Sequence, residues 1–80
     1  MKMPPQYIGL EQARQVLAEM GVDLNPRQMK RAADKDGTGR RKLPFFVDPI
    51  EGTLKIEKGT LVEIYKRLQA QAESEFGNNS

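Results

Sequence analysis

The residues from Asp34 to Gly39, DKDGTG, have the types and spacing of the first half of a calcium-binding loop. Two carboxylates stand two residues apart, and a glycine follows at loop position six. A complete twelve-residue loop needs a glutamate at position twelve, because that residue gives the ion two oxygens. Here position twelve is Phe45, and three cations beginning at Arg40 occupy the second half. The segment therefore predicts a turn whose glycines end a helix and reverse the chain, with no metal bound.

Few side chains in this sequence could perform catalysis. The 80 residues include no cysteine and no histidine. This excludes thiolate nucleophiles, disulfides, imidazole acid–base chemistry and zinc sites built from these two residue types. There is no phosphate-cradling glycine motif, and Asp34 and Asp36 are not spaced as a glycosidase-type carboxylate pair. We therefore expect a protein that is not an enzyme and that needs no cofactor.

Positive charge is concentrated in one segment of the chain. The net charge is only +2. From Arg27 to Lys42, however, there are seven cations against two carboxylates, which gives this segment a charge of +5 and leaves −3 on the remainder. A local excess of this kind focuses a positive field on one surface and is typical of proteins that contact phosphate groups.

The composition indicates one small globular domain, since 38% of the residues are hydrophobic and 30% are charged. No apolar run approaches the roughly 18 residues that a membrane span needs. The first seven residues, MKMPPQY, lack the apolar segment of a signal peptide. Small secreted domains often depend on disulfides, so the absence of cysteine favours the cytoplasm. We expect a cytoplasmic protein with no membrane partner.

Apolar residues at helical spacing predict the first and last helices. The first runs from Leu10 to Met20, where Gly21 provides a C-terminal stop. The last begins with a capping box formed by Thr60 and Glu63 and ends near Gln69. Its apolar residues form a compact stripe on one side of the helix: Leu61, Ile64, Tyr65 and Leu68.

The second helix has the clearest start signal. Asn25 is a favoured N-cap, Pro26 suits the first helical position, and Gln28 completes a capping box. The helix is expected to end at residue 34 or 35. Met29 and the two alanines fall on one side, which is small enough to approach a neighbouring helix closely, and the opposite side is mostly cationic.

A two-stranded β-hairpin is predicted between the second and last helices. Residues 42–47 are rich in β-forming side chains, and Pro44 places this strand at an edge or a strand start. Residues 48–52 have turn chemistry, and residues 53–57 alternate polar and apolar side chains as a half-buried strand does. At least one of the two phenylalanines at 45 and 46 is expected in the core, because a domain this short needs its large apolar groups there.

The order helix, turn, helix, hairpin, helix predicts a mainly α protein with a small β-hairpin, arranged as a winged helix-turn-helix (α-α-β-β-α). We expect a flexible arm at residues 1–7, the domain at 8–69, and a frayed polar tail at 70–80. The second helix of such a pair usually enters the DNA major groove. Arginine and glutamine read base edges, and lysine and arginine neutralise phosphates. The predicted DNA-binding residues are therefore Arg27, Gln28 and Arg31 for bases, and Lys30, Lys35, Arg40, Arg41, Lys42 and Lys55 for phosphates.

The segment GRRKLPFF follows the second helix, and the segment TLVEIY lies in the last helix. Together with these segments, the layout resembles that of the excisionase and MerR-type winged-helix proteins over residues 7–68. In that group a basic segment and a short KLP-aromatic strand often follow the recognition helix. The resemblance implies a winged-helix fold and binding to double-stranded DNA. Two departures are visible: the hairpin turn DPIEG is acidic, and there is no long dimerising helix or effector domain. The second departure points to the excisionase side of the group.

Three hypotheses follow for the function. The first is a sequence-specific DNA-binding protein, an excisionase-like recombination directionality factor that acts with an integrase. The second is a transcriptional regulator of the same fold, with RNA polymerase as a partner. The third is a protein-interaction module in which Leu24, Phe46 or the last helix docks on a partner or on a second copy, with self-association on DNA as a related expectation.

Overall fold

The computed structural model describes residues 4–77, which form three helices and three short strands. Their order is β1 (Tyr7–Ile8), α1 (Leu10–Glu19), α2 (Pro26–Ala33), β2 (Phe46–Val47), β3 (Leu54–Glu57) and α3 (Lys58–Gly77). The protein is thus a small mixed α/β fold with three helices and a three-stranded antiparallel sheet. The bounds of α1 and α2 agree closely with the prediction, whereas α3 is longer than predicted and the sheet has one strand more than the expected hairpin.

The end of α1 is a Schellman turn, as the glycine at its end predicted. Gly21 adopts a φ of +92°, a left-handed value that favours glycine. Its N–H donates to the carbonyl of Ala18 at 3.0 Å, and the N–H of Val22 donates to the carbonyl of Leu17 at 2.8 Å. These bonds satisfy carbonyls that have no partner within the helix and turn the chain sharply towards α2.

The predicted capping box of α2 is confirmed. The Asn25 side chain accepts a hydrogen bond from the Gln28 N–H at 2.8 Å, and the Gln28 side chain accepts one from the Asn25 N–H at 2.9 Å. The helix ends at Ala33, earlier than the predicted residue 34 or 35, because Asp34 already has extended backbone angles. Met29 and Ala33 are buried, which confirms the predicted apolar side.

The predicted hairpin is present as β2 and β3, but the sheet has a third strand, β1, that was not predicted. Its order is β1-β3-β2, with β3 in the centre and both neighbours antiparallel to it. Tyr7 pairs with Glu57, and Ile8 pairs with Ile56. Tyr7 was assigned to a flexible arm, but it belongs to β1; of that arm, residues 1–3 lie outside the described residues. β1 could not be predicted because a strand of two residues is too short to show alternating polar and apolar side chains. Its partner strand also lies about 50 residues away in the sequence.

The predicted strand over residues 42–47 is reduced to its last two residues. Before β2, the N–H of Leu43 donates to the carbonyl of Ala32 at 3.1 Å, and the N–H of Phe45 donates to the carbonyl of Leu43 at 2.7 Å. Leu43 and Phe45 are buried, and Phe46 is exposed. This segment therefore packs against the end of α2 instead of extending the sheet, and it confirms that one of the two phenylalanines lies in the core.

The start of α3 differs from the predicted capping box at Thr60 and Glu63. The cap is Glu57, the last residue of β3, whose carboxylate accepts from the N–H of Gly59 at 2.9 Å and from the N–H of Thr60 at 3.0 Å. The helix begins at Lys58 and continues to Gly77, past the predicted end at Gln69. Residues 78–80 of the predicted tail lie outside the described residues.

Every element except β2 contributes at least one residue to one core. The buried hydrophobic residues are Ile8, Ala13, Leu17, Met29, Ala33, Leu43, Phe45, Ile56 and Leu61. Tyr65 is half-buried against this cluster, as its place in the α3 stripe predicted. In residues 4–77, no helix has the length and apolar character needed to cross a bilayer.

Candidate nucleic-acid interface

The exposed side of α2 carries three of the predicted DNA-binding residues. Arg27, Lys30 and Arg31 are exposed, while Met29 and Ala33 on the other side of the helix are buried. The capping box fixes the first turn, and the buried side fixes the rotation of the helix about its axis. The three cations are therefore presented together to solvent on a helix that is held by its core contacts.

Gln28 has a structural role that the sequence analysis only partly recognised. Its side-chain oxygen accepts the hydrogen bond from the Asn25 N–H, which closes the capping box. A bidentate contact to adenine needs the amide oxygen and the amide nitrogen of one glutamine at the same time. Because the oxygen is already engaged, the structure assigns Gln28 to helix capping, with the amide nitrogen remaining as a donor.

The DKDGTG segment forms a turn organised by Asp36. One carboxylate oxygen of Asp36 accepts from the Thr38 N–H at 2.8 Å, the Thr38 hydroxyl at 2.6 Å and the Arg40 N–H at 3.2 Å. These bonds, the one from the hydroxyl first, lower the pKa of Asp36. Gly39 has the left-handed φ of +82° that the turn requires. The preceding helix, α2, already ends at Ala33, before Gly37 and Gly39.

The turn prediction is thus confirmed at Gly39, and the expectation that the glycines end the helix is wrong. Across residues 4–77, no group of three or more histidine, cysteine, aspartate or glutamate side chains is arranged to hold a metal ion.

The basic loop that follows lies against the C-terminal end of α2. Arg41 is half-buried, and its Nε donates to the carbonyl of Ala33 at 2.8 Å. This carbonyl belongs to the last turn of α2, where carbonyls lack partners within the helix. Arg40 and Lys42, on either side, are exposed, as is Lys35. Arg41 therefore fastens the loop to α2, so that its neighbours extend the cationic surface.

Lys55 is separated from this cluster. It lies on β3 between Leu54 and Ile56, and because side chains alternate along a strand it projects from the face opposite the buried Ile56. Its Nζ is 3.3 Å from a carboxylate oxygen of Glu51, and its side chain is only 23% exposed. Lys55 is therefore neutralised within the protein and does not join the surface formed by α2 and the basic loop.

Two surface features were missed by the sequence analysis. The first is a groove of about 480 Å³ between α2 and α3, which we call the α2–α3 groove. It is lined by Leu24, Gln28, Arg31, Ala32, Lys42, Leu43, Ile64, Tyr65 and Leu68. These residues come from three separate segments, so no local pattern could have revealed that they form one groove.

The second feature is an aromatic pair on the outer face of the sheet. The rings of Tyr7 and Phe46 meet edge to face, with centroids 5.7 Å apart and an interplanar angle of 84°. Both residues are exposed, at 55% and 42%, and their strands flank β3. The only sequence signal was the prediction that Phe46 could dock on a partner, because β1 itself was not predicted.

Comparison with protein-family models, with curated proteins and with solved structures finds no match to this chain. What the protein does is therefore inferred from its own residues.

Proposed function

We propose that this protein is a small sequence-specific DNA-binding protein of the winged helix-turn-helix class, with α2 as the helix that enters the major groove. The observation that carries the proposal is the exposed cationic side of α2, continued by the basic loop that Arg41 fastens to its end. The order α1, tight turn, α2, β2 and β3 matches this class, in which the second helix of the pair is the recognition helix.

The side chains divide into two roles. Arg27 and Arg31 are long exposed guanidinium groups that can make bidentate contacts to guanine edges. Lys30, Lys35, Arg40 and Lys42 neutralise phosphates and release counterions, which supplies affinity that does not depend on sequence. The proposal assigns no catalytic role to any residue.

The hairpin turn between β2 and β3 is a poor contact for DNA. Asp48 accepts a hydrogen bond from the Ile50 N–H at 2.8 Å, and this bond comes first among the causes that lower the pKa of Asp48. With Glu51 beside it, the turn carries two carboxylates that repel phosphate. Lys55, the nearby cation, is paired with Glu51. The proposed DNA surface is therefore α2 and the basic loop, without the tip of the hairpin.

Within this class we propose the excisionase-like role, in which the protein binds DNA beside an integrase and contacts it. The support is the combination of a cationic surface with exposed apolar side chains elsewhere, among them Phe46 and Phe76. A transcriptional regulator that contacts RNA polymerase is the second candidate, and the same surfaces suit it. An integrase gene next to the gene for this protein would favour the first role.

The experiment is the affinity for mixed duplex DNA across a salt series, for the wild type and for an Arg27→Ala/Arg31→Ala double variant. We expect the wild-type affinity to fall steeply with salt, because phosphate contacts release counterions. Each guanine-reading arginine contributes about 1–3 kcal/mol, so the double variant should lose on the order of tenfold per arginine or more.

The matched control is Lys66→Ala/Arg67→Ala, which removes the same charge from exposed positions on α3. This control should bind nearly as well as the wild type. If the wild type does not bind even at low salt, the proposal fails, and a protein-interaction role without DNA becomes the better account. If both double variants lose affinity equally, the contact is a diffuse charge effect and α2 is not the recognition helix.

A further inference from the structure

The C-terminal half of α3 exposes large apolar side chains. Leu68 is 56% exposed and Phe76 is 84% exposed, although α3 begins at the core with the fully buried Leu61. A helix turns by about 100° per residue, which places Leu61, Leu68, Ala72 and Phe76 within about 80° of one another around the helix axis. We call Leu68, Ala72 and Phe76 the α3 stripe. It continues the buried side of the helix beyond the core, where it is open to solvent.

The α2–α3 groove begins where this stripe leaves the core. Leu24, Ala32 and Ile64 are among its apolar lining residues, and Arg31 and Lys42 add two cations. The end of α3 has the complementary character. Phe76 is a large exposed apolar group, and Glu75 beside it projects from the same side of the helix as Leu68. An apolar ring with an adjacent carboxylate therefore matches an apolar groove with adjacent cations.

We propose that two copies of the protein associate through α3, with the two helices antiparallel and Phe76 of each copy inserted in the α2–α3 groove of the other. The geometry supports one register. Phe76 and Ile64 both lie six residues from Ala70, which corresponds to about 9 Å along the helix. When two antiparallel helices are aligned so that residue 70 of each lies at the same level along the helix axis, Phe76 of one copy lies opposite Ile64 of the other. The Ala70 side chains themselves point away from the interface.

The same register places Leu68 opposite Ala72, which pairs a large side chain with a small one and lets the helices approach closely. The contact is reciprocal, because each copy supplies one groove and one helix end, as a twofold dimer requires. Glu75 of one copy comes near Arg31 and Lys42 of the other. Arg27 and Lys30 do not line the groove and stay accessible in such a dimer, whereas Arg31 and Lys42 do line it, so association competes with the DNA contacts proposed for these two residues.

The proposal is tested without DNA, so it can fail or succeed independently of the DNA-binding function. Sedimentation velocity over a concentration series should show the wild type passing from monomer to dimer. Phe76→Glu should weaken association by at least about tenfold, since an anchor residue is lost and a charge enters the groove. Because Phe76 is 84% exposed, the helical content measured by circular dichroism should not change.

Two further variants make the test specific to this arrangement. Ala70→Glu adds the same charge to an exposed residue on the opposite side of α3 and should leave the dimer intact. Glu75→Lys should weaken association, and Glu75→Lys combined with Lys42→Glu should restore much of it. A wild type that stays monomeric throughout the series overturns the proposal, as does a Phe76→Glu variant that associates like the wild type. Failure of the charge exchange to restore association overturns the proposed register.

Discussion

Arg31 and Arg41 show how residues of one type acquire different roles within one cationic segment. Arg31 is exposed on α2, where its guanidinium group can reach a ligand. Arg41 is half-buried and its Nε is engaged by the carbonyl of Ala33. Charge alone predicted both as DNA contacts. In the structure Arg41 mainly holds the loop against α2. Replacing Arg41 should therefore affect the stability of the fold more than it affects DNA binding.

We expect Arg41→Ala to lower the free energy of unfolding by about 1–2 kcal/mol, because a hydrogen bond from a charged donor to a helix carbonyl is lost. Urea denaturation followed by circular dichroism measures this change. Arg40→Ala is the matched control, since its side chain is exposed and surface substitutions usually change stability by less than about 0.5 kcal/mol. Equal stabilities for the two variants would contradict the supporting role of Arg41.

At the scale of elements, α2 and α3 start by different means. The cap of α2 is local, since Asn25 and Gln28 exchange hydrogen bonds within one turn. The cap of α3 comes from Glu57, which belongs to the central strand and pairs with Tyr7. Its carboxylate accepts from Gly59 and Thr60 and also, at 3.4 Å, from the N–H of Gln6. Glu57 therefore connects the sheet to the long helix.

This cap predicts a dependence of stability on pH. The hydrogen bonds to the Glu57 carboxylate, that from the Gly59 N–H first, lower its pKa below the usual range for glutamate. A lowered pKa in the folded state stabilises the protein above the pKa of the unfolded chain. This contribution is lost as the pH falls through the folded-state pKa. The wild type should therefore lose stability as acidification takes the pH below the usual pKa of glutamate.

Glu57→Gln keeps one acceptor oxygen but removes the charge, so its stability should be lower at neutral pH and should fall less on acidification. Chemical denaturation at a series of pH values measures both effects. The variant should retain part of the dependence, because Asp36 and Asp48 also have lowered pKa values. Glu63→Gln is the matched control, since Thr60, its predicted partner in a capping box, donates to Glu57. Identical pH profiles for wild type and Glu57→Gln would contradict the assignment.

At the scale of the whole molecule, stability depends on a small core to which distant parts of the chain contribute. Ile8 is buried and pairs with Ile56 of the central strand, and Tyr7, which was expected to lie in a flexible arm, pairs with Glu57 of the same strand. The N–H of Lys58 also donates to the carbonyl of Gln6 at 2.8 Å, which ties the start of α3 to the chain before β1. The N-terminal segment from Gln6 onward is therefore a structural part of the domain.

Ile8→Ala should lower the free energy of unfolding by about 2–5 kcal/mol, because it leaves a cavity in a core that has few other large side chains. Thermal and urea denaturation measure this loss. Val47→Ala is the matched control: it also truncates a β-branched residue in a two-residue edge strand, but Val47 is 53% exposed. A loss for Ile8→Ala no larger than for Val47→Ala would show that β1 is not part of the cooperative unit.

Local signals in the sequence were sufficient for α1 and α2 and for the presence of α3, although not for the bounds of α3. The apolar spacing of α1, its glycine stop and the Asn25–Gln28 box all act within one or two turns, so their geometry follows from residues close together in the chain. The exposed cationic side of α2 follows for the same reason, since Met29 and Ala33 fix which side is buried. Most of the candidate site could therefore be named before the structure was known.

The sequence by itself thus determined three helices, a turn at DKDGTG and a cationic surface centred on α2. Only the tertiary structure decided the third strand, the hydrogen bond that joins Gln6 to the Glu57 carboxylate and the α2–α3 groove. The physical reason is sequence separation. Strand pairing and grooves join residues tens of positions apart, and their formation depends on which surfaces the core brings together, whereas helix caps and periodic faces depend on neighbours within a few residues.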